Sequence, residues 1–250
     1  VQLLRSARSA GTRLVSTSDV QVTALVAVLI PAAALLASRT LEVDGPYLSS
    51  RATLLLVSLG VPLAAAAVAG SRALEHRLGV ENAVVLAVPS ARARTGGALL
   101  AVAVLGFAWG AAAHLIVVGA ESALSIGAPV TVLLLQSLRA GLVVAVLVVA
   151  ARSLGDLLRN TAAVWTLVLA WSAVGERLVG SIPGLGPIAG PFLPVRNADY
   201  FVTGSAYGAD YPWSAPWALL VPLAWAAALC AAALTVSALV PVLSSRKENH

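Results

Sequence analysis

The chain has 250 residues, 59% of them hydrophobic and 11% charged, with a mean hydropathy of +0.91 and a formal net charge of +5. That balance excludes an ordinary soluble domain and marks an integral membrane protein. A single cysteine, Cys230, rules out an internal disulfide, and the three histidines, His76, His114 and His250, stand at no metal-ligand spacing.

In chain order, Leu3, Ala7, Ala10 and Leu14 recur at helical spacing while Arg5, Arg8 and Arg13 fall largely elsewhere. This pattern predicts an amphipathic helix lying on the inner leaflet. The stretch is too polar, and the apolar run after it too long, for a signal peptide, and Ser16 to Asp19 supply capping residues before the run begins. A hydrocarbon core of about 30 Å takes about 20 apolar residues per helix. On that measure six runs read as spans, at about 20–38, 52–70, 96–119, 140–158, 161–180 and 217–243. The runs are continuous rather than alternating, which argues against a β-barrel.

Between the second and third runs, residues 70–94 (GSRALEHRLGVENAVVLAVPSARAR) form a basic, partly amphipathic segment. It is too charged for lipid and too patterned for a plain linker. With the N-terminus inside, eleven of the sixteen lysines and arginines fall on the cytoplasmic side, which predicts a multi-pass protein of the plasma (inner) membrane with both termini in the cytosol. The basic balance then reflects arginines beside anionic lipid rather than nucleic-acid binding.

Between the fifth and sixth runs, Pro183, Pro187 and Pro191 recur every four residues among glycines, which forbids a regular spanning helix. The stretch is nevertheless apolar, as expected of an ordered loop or a broken re-entrant segment in the outer leaflet. Tyr200, Phe201, Tyr207, Tyr211, Trp213 and Trp217 follow and read as an aromatic belt at the outer interface. No soluble domain fits between the runs, so residues 1–250 read as one transmembrane bundle, all-α and polytopic.

The chemistry is sparse. There is no GxxxxGK[ST] phosphate loop, no Ser-His-Asp set and no intramembrane carboxylate pair, so neither an ATP site nor an enzyme is expected on this chain. Arg139 either snorkels to the outer interface or pairs with Glu121 or Glu176. Arg152 and Asp156, four apart on one helix, read as a local ion pair. So few buried charges give a proton-driven carrier little to work with.

Four stretches, in order and spacing, resemble the permease subunit of a type-2 ATP-binding-cassette exporter: RLVSTSDVQVTALVAVL, EHRLGVENAVVLAVPSARAR, LGDLLRNTAAVW, and FLPVRNADYF followed by PWALLVPLAWAAAL and SSRK. Val80 departs from the pattern, since the family commonly has Thr after the glycine corresponding to Gly79. The resemblance implies six spans, an N-terminal surface helix and export of an amphipathic or lipid-like substrate. It implies ATP and Mg on a separate cytosolic ATPase, no cofactor on this chain, and a dimer with a second copy or a sister permease. Residues 80–89 would be the coupling helix that receives force from the ATPase, involving Glu75, Arg77, Glu81, Val84, Val85, Leu86 and Pro89. The proline-rich segment, with Pro187 and Phe192, would close the outer gate. Trp165 and Trp171 on the fifth span would face the substrate pathway. Two other readings fit the composition: a non-transporting anchor or regulatory subunit of a larger complex, and a proton- or sodium-coupled carrier.

Overall fold

A computed structural model describes residues 2–40, 56, 60–79, 91–124, 129–204 and 211–247, and everything regular among them is helical. Helix α1 (Gln2–Ser16) leads into α2 (Ser18–Thr40), α3 (Val61–Arg77), α4 (Ala91–Leu124) and α5 (Val130–Leu158). The chain continues with α6 (Thr161–Ala170), a π-helical turn (Trp171–Gly175) and α7 (Glu176–Ser181), which run on as one rod. Short elements follow: α8 (Gly186–Ala189), a 3-10 turn (Gly190–Phe192), α9 (Pro194–Thr203) and a second 3-10 turn (Ala215–Leu219) that opens α10 (Leu220–Lys247). Among the described residues, four helical stretches are long and apolar enough to cross a membrane: Ala93–Gly119, Val130–Leu158, Thr161–Ser181 and Ala215–Val236. Val20–Leu29 in α2 forms a shorter apolar helix.

Small residues set the packing. Gly106 and Gly110 form a GxxxG step on α4, and a Cβ at either would come within 2.5 Å of a valine methyl on α5, Val148 or Val144. Gly141 on α5 answers from the other side, where a Cβ would sit 2.8 Å from the Phe107 carbonyl oxygen. With lipid as apolar as the helices, such close backbone approach is what drives them together. Helix α5 consequently lies at the centre, touching α3, α4 and α10. Its core includes Val144, Val148 and Ala151 against Val61, Val68 and Ala69 of α3.

Helix α1 is amphipathic, exposing Arg5 and Arg8, but its buried stripe is Ser6, Ala10 and Leu14; of the expected apolar face Ala7 is half-buried and Leu3 is exposed. The buried stripe rests on α4, where Gly97 leaves room: a Cβ there would sit 2.8 Å from the backbone at Leu3 and Ala7. The Ser6 hydroxyl donates to the Arg94 carbonyl, 3.2 Å away.

Three expectations change. Helix α5 begins at Val130, ten residues before the expected start of the fourth span, because Ser137 and Arg139 find partners on neighbouring elements and do not end the helix. Ser137 donates to Leu133 and meets Nδ1 of buried His114 at 3.0 Å, while the Arg139 guanidinium lies over the Phe201 ring. Arg139 thus takes an aromatic face, and the Glu176 carboxylate is held by backbone N–H groups. The expected aromatic belt is also partly folded inward. Phe201 is buried, Tyr200 stacks on Tyr211 at 4.3 Å, and Trp213 donates to Asn197, leaving Trp217 exposed. The cause is the fold-back of α9, whose apolar face covers Ala140 and Val143 of α5. Tyr207 lies outside the described residues.

The α5 to α6 connection is a two-residue turn. Arg159 closes α5 in the left-handed region, φ 50°, and Asn160 caps α6 by accepting from the Ala163 N–H at 3.1 Å.

Candidate functional site

Two polar constellations sit at opposite ends of α5, with an apolar groove between them. The first begins with the last turns of α3, where Arg72, Glu75 and His76 share a face by their i, i+3, i+4 spacing. Gly155 of α5 lets the two helices close up, since a Cβ there would sit 3.2 Å from the Arg72 Cβ. That approach brings Asp156 against α3: its Oδ1 accepts from Arg72 Nε at 2.5 Å and lies 2.9 Å from His76 Nε2. Glu75 Oε2 accepts from Arg72 at 3.0 Å, while Arg152 approaches the same oxygen at 3.9 Å and Arg13 of α1 reaches Oε1 at 3.8 Å. The expected local pair between Arg152 and Asp156 is therefore replaced by pairs across helices. Helix approach at Gly155 offers Asp156 a closer cation, Arg72, than its own helix does, while Glu75 keeps Arg72 of its own helix at 3.0 Å and adds Arg152 and Arg13 from α5 and α1.

Three guanidiniums thus face two carboxylates, and they tie α1, α3 and α5 together at one end. Arg152 is 6% exposed and the others are mostly buried, so the pairing is not the exposed kind that contributes little. Removing one partner of such a buried pair leaves a charge without compensation.

The second constellation organises the other end. Glu176, 2% exposed, accepts from the N–H groups of Val195 at 2.8 Å and Arg196 at 2.9 Å. Leu193 precedes α9 without any side-chain cap, so a carboxylate from another helix supplies what a capping residue ordinarily would. Asn197 donates to the Pro191 and Leu193 carbonyls at 2.6 and 2.8 Å and accepts from Trp213 Nε1 at 3.0 Å. On the next turn, Asp199 is buried with Oδ1 lacking a hydrogen-bond partner, and burial pushes its carboxyl up to about 7. Tyr211 is also pushed up, chiefly by burial, with Arg196 pulling the other way.

Between the two ends, α3, α5, α6, the π-helical turn, α9 and α10 enclose a groove of about 290 Å³. Val61, Leu147, Trp171, Trp225 and Leu229 are among its lining residues, which are almost wholly apolar.

The residues expected to carry function divide accordingly. Glu75 lies in the charge cluster, turned toward α1 and α5. Arg77 is exposed in the last turn of α3. Glu81, Val84, Val85, Leu86 and Pro89 lie outside the described residues, as does Glu121's side chain. Trp165 packs on Gly70 of α3, where a Cβ would sit 2.9 Å from its Cδ1, while Trp171 faces the groove. Pro187 is exposed within α8. Phe192, also exposed, meets the edge of Trp213 at 5.7 Å, and its carbonyl accepts from Trp225 at 3.1 Å.

Sequence reasoning did not bring Arg13, Arg72, His76 and Asp156 together, nor did it find Asn197 and Asp199. The i, i+3, i+4 charges ending an apolar run were a usable sign for the first group. Little local signalled the second, because all of its bonds but the one from Asn197 to Leu193 span 6 to 20 residues. No protein-family model matches this chain, and no curated protein matches it at a significant level.

Proposed function

We propose that the chain is the permease subunit of an ATP-binding-cassette exporter for an amphipathic or lipid-like substrate, driven by a separate cytosolic ATPase. In this reading α2 and the apolar run at about 52–70 complete six spans with the four long apolar helices, both chain ends face the cytosol, and the permease pairs with a second copy or a sister permease. The observation that carries it is the ion-pair cluster at the end of α3. Glu75 and His76 stand immediately before residues 80–89 and are tied to α1 through Arg13 and to α5 through Arg152 and Asp156. A push on the 80–89 segment by an ATPase would therefore reach three helices at once.

The apolar groove beside Trp171 supports the substrate class, since its walls offer hydrocarbon contact and few polar groups. The cap built by Glu176 and Asn197 around α9 supports an outer gate that includes Pro187 and Phe192, whether or not it dips into the outer leaflet.

Expression with a candidate Walker-motif ATPase tests the proposal. Val84→Asp or Leu86→Asp is expected to abolish co-purification and transport while the bundle keeps its thermal stability. Burying one valine or leucine is worth about 1.5–3 kcal/mol, and a carboxylate there reverses the sign. Wild-type co-purification and transport in both variants would refute the coupling role of 80–89.

A further inference from the structure

A second cavity, of about 230 Å³, lies on the other side of α3 and α5 from the groove. Its walls are nearly all apolar and come from α1 to α5, including Leu14, Val68, Val102, Trp109 and Val148. The register of these walls matches that of the charge cluster. On α3, Val68 lines the cavity and Arg72 joins the cluster one turn on; on α5, Val148 and Arg152 do the same; on α1, Leu14 and Arg13 are neighbours. The same three helices thus present hydrocarbon and guanidinium close together, one turn apart on α3 and α5 and on adjacent residues of α1.

Two of the cluster's guanidiniums, Arg13 and Arg152, also lack a close carboxylate among the described residues. Arg13, Arg72 and Arg152 meet Glu75 and Asp156 there. Asp156 is engaged at close range by Arg72 and His76, which leaves Glu75 to serve Arg152 at 3.9 Å and Arg13 at 3.8 Å. Both distances exceed a hydrogen bond. Arg152 is more than nine-tenths buried and has no hydrogen bond to a described residue, so it lacks the close oxygen that a buried cation requires.

We propose that cluster and cavity form one site for an anionic phospholipid, with its phosphate at Arg13 and Arg152 and an acyl chain in the cavity beside Trp109. The guanidiniums of Arg13 and Arg152, each short of a close carboxylate among the described residues, select an anionic headgroup, and the apolar walls beside them select a ligand with a hydrocarbon tail over a free anion. The site needs no ATPase and stands independently of the transport reading. The bound lipid would fasten α1 to the bundle by supplying oxygens that Glu75 alone does not.

The test uses the purified full chain in phosphatidylcholine nanodiscs carrying increasing fractions of brominated-chain phosphatidylglycerol or brominated-chain phosphatidylcholine. The readout is the part of tryptophan quenching that disappears in Trp109→Phe. Half-quenching is expected at a mole fraction of phosphatidylglycerol at least about fivefold lower than of phosphatidylcholine, with Arg13→Gln and Arg152→Gln each removing about fivefold of the preference. Arg13, at the more exposed edge of the cluster, keeps the test informative if Arg152→Gln fails to fold. Equal quenching by the two lipids, preference retained in the arginine variants, or relief of quenching by millimolar inorganic phosphate would each overturn the proposal.

Discussion

Replacing Asp199 by Asn is expected to stabilise the protein at pH 8 and leave it nearly unchanged at pH 4. Asp199 sits in α9 beneath the cap, 8% exposed, and its Oδ1 is bonded to nothing. The Tyr211 hydroxyl feels its charge, while among the described residues the Arg196 guanidinium lies against Gly180 and the Glu176 carboxylate is held by the N–H groups of Val195 and Arg196. Desolvation therefore decides its ionisation, raising the carboxyl from 3.8 to about 7 on folding.

A folded state that holds this proton more tightly than the unfolded chain gains stability that is complete below pH 3.8 and is lost as pH rises to about 7. Each tenfold change in proton affinity is worth about 1.4 kcal/mol, so the whole effect is at most about 4 kcal/mol. The amide is neutral throughout and removes the dependence. Thermal unfolding in detergent, followed by tryptophan fluorescence from pH 4 to 8, provides the assay. The wild type should lose melting temperature across this range, and Asp199→Asn should flatten that decline and melt on the order of 10 °C higher at pH 8. An equal decline in both proteins, or an Asn variant less stable than wild type at pH 8, would refute desolvation of Asp199 as the cause.

Glu75→Gln should cost about 3 kcal/mol by leaving Arg13 and Arg152 without their carboxylate, and limited proteolysis should then cut α1 faster. Gly110→Val places a side chain against Val144 and the Ala140 carbonyl oxygen, and should cost about 1–3 kcal/mol or more by forcing α4 and α5 apart, measured as a fall in melting temperature. Glu176→Gln replaces one of two acceptor oxygens with a donor facing the N–H groups of Val195 and Arg196; a cost of about 1–3 kcal/mol and faster amide exchange through α9 are expected. For topology, with Cys230 replaced by Ala, a cysteine introduced by Ser90→Cys should resist impermeant thiol reagents added to intact cells, and labelling from outside would contradict the proposed orientation.

Sequence alone determined the helical class, the apolar stretches of the long helices and the amphipathic character of α1, though not that Ser6 would be buried and Leu3 exposed. Each depends on periodicity or run length within one segment, and the environment that selects them, lipid or a flat helix surface, is the same wherever the segment goes. The break at 159–160 between the fourth and fifth runs was legible for the same reason, while the Asn160 cap was found in the structure. Tertiary structure decided the partners of the charges. Arg152 and Asp156 stand at ideal spacing to pair on α5, yet Gly155 admits α3 so closely that Arg72 takes Asp156 and Glu75 takes Arg152. The start of α5 was decided in the same way, because Ser137 and Arg139 are tolerated only where His114 and Phe201 meet them. Polar side chains within an apolar helix are costly unless something else in the fold arrives within bonding distance, and that arrival is a property of packing between helices, which no single segment encodes.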